Sequence, residues 1–142
     1  MAADGSGEGK ATLGLSFRTG EGLWRGRLGG TGVSVAVAGT REGPDRTSLA
    51  AARAVLERLD DLAAALSAHL AADEVVVVQD DGEPRTVRHP APPPIDVEAV
   101  DATTAGSPQV VVMFATGYPD SGHVYCAVVE GPAVDAVTGR LR

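Results

Sequence analysis

Apolar and polar positions begin to alternate at Leu13. Leu13, Leu15 and Phe17 are separated by Gly14 and Ser16, the period of a half-buried strand. Thr19-Gly20-Glu21-Gly22 predicts a turn, because its glycines permit positive φ. Trp24, Gly26 and Leu28 then alternate with Arg25 and Arg27, so one face packs and the other carries guanidinium groups into solvent. After the turn Gly29-Gly30-Thr31-Gly32, Val33, Val35 and Val37 share a face. Residues 13–38 therefore predict three antiparallel strands joined by Gly-rich turns.

A polar loop with Pro44 follows, and Asp45, Thr47 and Ser48 are candidate helix caps. The period then changes. Leu49, Ala52, Leu56, Leu59, Ala63, Leu66 and Leu70 recur at spacings of three and four, widened by Val55 and Leu62. No Pro or Gly interrupts residues 48–72, which predict one amphipathic helix of about 24 residues, ~36 Å long. The alanines on its stripe suit a helix lying on a sheet better than a coiled coil.

From Glu74 onward the pattern returns to strands. Val75–Val78 and Thr86–Arg88 read as a hairpin around Asp80-Asp81-Gly82-Glu83-Pro84. Pro90-Ala91-Pro92-Pro93-Pro94 reads as an extended connector, and Ile95, Val97 and Ala99 as an edge strand. Residues 110–114 are apolar at every position and predict a central strand. Its hairpin partner, 124–129, lies across a turn at 117–122, and a last short strand is expected near Val134–Val137. The expected fold is α+β: an antiparallel sheet of three N-terminal and four or five C-terminal strands, packed against one long helix at about residues 48–72. Residues 1–10 are expected to be a disordered tail, and 11–142 a single domain.

Composition adds little to the fold and more to the function. Only Phe17, Trp24, Phe114, Tyr118 and Tyr125 are aromatic, so Val, Leu and Ala must build the core. One cysteine, Cys126, excludes an internal disulfide, and its parity with Val124 and Val128 marks it as a small core residue. No apolar run reaches the roughly 18 residues of a membrane span, and no signal peptide is seen, so a cytoplasmic home is expected. Residues 1–72 balance eight acidic with eight basic side chains, whereas 73–142 carry eleven against four and hold the whole net charge of −7. That excess argues against nucleic acid and suits a basic protein partner.

Catalytic constellations were sought in turn. His69, His89 and His123 form no metal-binding pair at helical spacing. His69 is expected to close the helix, where its partial charge suits the dipole. His123 and Cys126 stand three apart in a strand, on opposite faces, which denies them contact. Asp120-Ser121-Gly122-His123 holds triad residue types, but adjacent turn residues do not converge as separate elements do. The glycines at 29–32 precede a strand rather than a helix, so they are a turn and not a phosphate loop. No cofactor or metal is expected.

Trp24-Arg25-Gly26 in an early strand, the Val-rich strand at Gly32–Val37, the helix, and Pro119-Asp120-Ser121-Gly122-His123 in a late hairpin resemble small bacterial α+β domains, some described as immunity proteins of polymorphic toxin systems. That resemblance implies a non-catalytic protein that binds and neutralises a toxin. The residues themselves support three readings. The first is a non-enzymatic protein-binding module using Asp73, Glu74, Asp80, Asp81 and Glu83. The second is a small-molecule or enzymatic domain with a pocket near Trp24, Tyr118, Asp120, His123 and Tyr125. The third is a self-assembling subunit, a homodimer paired edge to edge through Ile95–Ala99 or Val75–Val78.

Overall fold

The computed structural model describes residues 13–78, 82–116, 123–131 and 133–141. The expected tail at 1–10 and the turn at 117–122 lie outside them. The strands are β1 (Leu13–Arg18), β2 (Leu23–Leu28), β3 (Ser34–Thr40), the two-residue β4 (Gly43–Pro44), β5 (Val75–Val78), β6 (Pro84–Val87), β7 (Ile95–Ala102), β8 (Gln109–Thr116), β9 (His123–Glu130) and β10 (Ala133–Leu141). Two helices, α1 (Arg46–Leu56) and α2 (Leu59–Ala72), lie between β4 and β5.

The strands join one sheet in the order β1-β2-β3-β7-β8-β9-β10-β5-β6, with β4 paired to β3. The sheet is mixed, which corrects the antiparallel expectation. β3 pairs with β7 in parallel, Val35 opposite Val100, and β10 pairs with β5 in parallel, Gly139 opposite Val77. Both parallel pairs follow from the helical segment. It carries the chain from β3 to the far side of the meander β7–β10, and strands meeting after a crossover need not alternate in direction. Ile95–Ala99 is no edge, since β7 lies between β3 and β8, and Val75–Val78 lies between β10 and β6. The outer strands are β1 and β6.

The helix is broken, not continuous. Glu57 N–H still bonds the Arg53 carbonyl, but Arg58 N–H bonds Val55, a tighter turn, and Arg58 leaves helical geometry at φ −136°, ψ 39°. No Pro or Gly causes this. α1 buries Ser48, Ala52 and Val55, so it lies close to the sheet, whereas α2 buries Leu62, Leu66 and Leu70 and stands further off. The step at Arg58 joins segments held at two heights over a twisted sheet. The two helices nonetheless cover the same face, and that cover is what organises the fold. Each buried leucine contributes roughly 1.5–3 kcal/mol.

The core lies between these helices and the sheet. Val35, Val37, Val100, Val112, Phe114, Tyr125 and Val77 point into it. Phe114 and Tyr125 stack with centroids 5.4 Å apart, and His89, from the β6–β7 connector, packs on Tyr125 at 6.0 Å. Gly139 makes room for that tyrosine: a Cβ there would lie 2.8 Å from Tyr125 Cδ1 and 3.2 Å from Val77 Cγ2. Asp45 ties α1 to the loop after β7. Its Oδ2 accepts from Ser48 N–H and Gly106 N–H, each at 3.0 Å, and the Ser48 hydroxyl also lies 3.1 Å from the Thr104 carbonyl.

Candidate functional site

The described acidic candidates, Asp73, Glu74 and Glu83, lie at the two ends of β5. Asp73 caps the C-terminus of α2, with its carboxylate 3.9 Å from His69 Nδ1, and Glu74 follows it into β5. Glu83 precedes β6 beside the far end of β5, because Val78 pairs with Pro84. All three are exposed and bracket β5 from its two ends. Asp80 and Asp81 lie outside the described residues.

Of the pocket candidates, the two described ones, Trp24 and Tyr125, stand apart. Trp24 on β2 donates from Nε1 to the Thr40 carbonyl at 2.8 Å and packs on Phe17, centroids 5.6 Å apart. Gly39 admits its ring edge, since a Cβ there would stand 2.8 Å from Trp24 Cδ1. Tyr125 is wholly buried on β9. Four inter-strand steps divide β2 from β9, on the order of 19 Å, so these two aromatics line no common pocket. Tyr118, Asp120 and the side chain of His123 lie outside the described part of the chain.

A groove is present elsewhere, on the helix side. A cavity of about 440 Å³ runs along α1, floored by Val55, Val110 and Val129 with Pro108 and Gly131 at its rim. From α1 itself come Arg46, Thr47, Ala50, Ala51 and Ala54, and from the break after it Arg58. The Arg58 guanidinium bonds the Gly131 carbonyl, which fixes one end of the groove to the β9–β10 turn.

Among the described residues, both helices lie on one side of the sheet and no helix covers the opposite face. Strand alternation sends Val76, Val78, Val111, Met113, Cys126 and Val128 to that side. Val76, Val78 and Val111 are 44%, 42% and 37% exposed, the large apolar side chains most open to solvent among the described residues. Cys126 is therefore not a core residue. It is a half-exposed free thiol on this face, and Tyr125, Ala127 and Val129 are the inward positions of β9.

One cross-strand row on the open face joins two opposite charges. Arg25 pairs across Ala36 towards Asp101, which burial pushes above its ordinary carboxyl value while Arg25 opposes the rise. The Arg25 guanidinium is held above its ordinary value by its hydrogen bond to Glu21, against desolvation. Asp45 moves the other way: N–H of Gly106, then N–H and hydroxyl of Ser48, hold its carboxyl below the usual range.

Neither the groove nor the open face was singled out from sequence. The arginines bracketing the groove recur with Ala50 and Ala54 at a spacing of four, a signal masked by the longer leucine stripe. Among the described residues, no three His, Cys, Asp or Glu side chains gather to hold a metal, and no helix is long and apolar enough to cross a membrane. Comparison with protein-family models, curated proteins and solved structures gave no match.

Proposed function

We propose that the chain is a non-catalytic protein-binding module, immunity-like and cytoplasmic, that receives its partner on the uncovered face of the sheet. One observation carries the reading: Val76, Val78 and Val111 stand open on a sheet face whose opposite side holds the entire helical layer. Val76 and Val78 on β5 and Val111 on β8, three strand steps apart, are stabilised when a second surface covers them. Asp73, Glu74 and Glu83 at the ends of β5 suit a partner with an apolar centre and a basic rim.

The test uses the full chain as bait in lysate of its own cell, with the captured protein identified and its binding measured after purification. Val76→Lys with Val111→Lys should abolish capture, and reversal of Asp73 and Glu74 to Lys should slow association. Surface valine changes of this kind alter stability by only about 0.5 kcal/mol. Unchanged binding by the folded double-lysine variant would sink the assignment of this face.

A further inference from the structure

We propose that the groove along α1 binds an extended acidic segment of a protein partner, with carboxylate side chains near its two ends and small apolar residues between them. The inference rests on the protein-binding reading but engages the other side of the sheet. Charge supplies the first argument. On a chain of net charge −7, the groove is lined by Arg46 and Arg58 and by no carboxylate. Glu130, beside Gly131, belongs to the opposite face by strand alternation from the buried Val129.

Spacing supplies the second. Arg46, Ala50 and Ala54 recur every four residues along α1, and Arg58 lines the groove from the break just past the helix end, so cations stand at its two ends with methyl groups between. The eleven residues of α1 extend ~16 Å, which an extended segment of about five residues matches at ~3.4 Å each. Carboxylates at the first and fifth positions of such a segment point to the same side, within reach of two long guanidinium side chains.

The third argument is local electrostatics. α1 has no acidic residue in its first turn, and Arg46 occupies that turn instead. The capping carboxylate of Asp45 already meets the dipole at this end through Ser48 N–H. A ligand carboxylate beside Arg46 is therefore attracted by the guanidinium itself.

The experiment titrates the ¹⁵N-labelled full chain with an acetylated, amidated pentapeptide, Asp-Ala-Val-Ala-Glu, and with its Asn/Gln analogue, following amide shifts. Saturable shifts confined to α1, Val110 and Gly131 are expected with the acidic peptide, and none that saturate with the neutral one. Arg46→Ala and Arg58→Ala should each weaken binding roughly tenfold, the loss expected for one charge-assisted contact. Ala54→Glu, which places a carboxylate in an exposed part of the groove, should weaken it as well. The Val76→Lys, Val111→Lys chain should bind the peptide as the parent does, which separates this proposal from the sheet-face reading. Equal binding of the neutral peptide, binding that survives loss of both arginines, or shifts that never saturate would overturn it.

Discussion

Arg25 on β2 and Asp101 on β7 occupy one cross-strand row with only Ala36 of β3 between them, a separation of about 10 Å across two strand spacings. The buried-side penalty on Asp101 exceeds what that arginine returns, so its carboxyl titrates above its ordinary value. Between the ordinary value near 3.8 and the raised one, the native state binds more protons than the unfolded chain. Stability therefore falls as pH rises through that window. Asp101→Asn should flatten that slope and leave the protein at least as stable at neutral pH. Arg25→Ala should steepen it. Urea midpoints measured from acid to neutral pH decide, and a steeper slope in Asp101→Asn would refute the assignment.

Asp45 predicts the opposite sign. Its carboxyl is held low by three donors in the native state, so its contribution is present above the ordinary value near 3.8 and is lost as pH falls below it. Asp45→Ala should lower the melting temperature at neutral pH, detach α1 from the loop at Thr104–Gly106, and reduce acid sensitivity. Amide exchange at Ser48 and Gly106 is the direct check, since both N–H groups lose their acceptor.

Gly139→Ala should cost about 1–3 kcal/mol, the usual penalty for forcing extra volume into a packed interior. The new methyl would meet the Tyr125 ring at 2.8 Å with Val77 behind it. Thermal unfolding and the near-ultraviolet signal of Tyr125 report the change. An unperturbed Tyr125 signal would mean that the β9–β10 register differs from Gly139 opposite Tyr125.

Leu66→Ala should cost about 2–5 kcal/mol, because the side chain is wholly buried between α2 and the sheet. Leu49→Ala should cost less, because Leu49 is only partly buried at the edge of the core. The two positions look equivalent in the leucine stripe. Denaturation midpoints that ranked them equally would argue for an unbroken helix.

Local periodicity carried much of the strand pattern. Leu28, Val33, Val35 and Val37 are buried where alternation placed the packed face, and Arg25 and Arg27 are exposed; Ala36 and Ala38, of the other parity, are buried as well. What it could not carry is order across the sheet. Ile95, Val97 and Ala99 alternate with acids and read as an edge, yet β7 is flanked on both sides, with its polar positions on the uncovered face. The same open face misled the reading of Cys126, since two apolar faces on β9 look like full burial when only one is covered. The break at Arg58 left no Pro or Gly to mark it in the sequence. His89 was read as scattered, and the structure seats it in the core against Tyr125. Of the candidate site, the acidic residues at β5 were legible by charge alone. The groove required knowing that α1 lies beside Val110 and Val129, residues more than fifty positions away.

The placement of β5 has a temporal side. This strand precedes β7 in the chain but docks on β10, the last described strand to be synthesised. At ~5–20 residues per second, the roughly sixty residues between them take about 3–12 s to emerge from a ribosome. Through that interval Val75–Val78 has only the β6 hairpin for company, with the flank that receives β10 still open. The negative charges around that hairpin then act as a guard against wrong pairing while the chain waits for its own C-terminal strand.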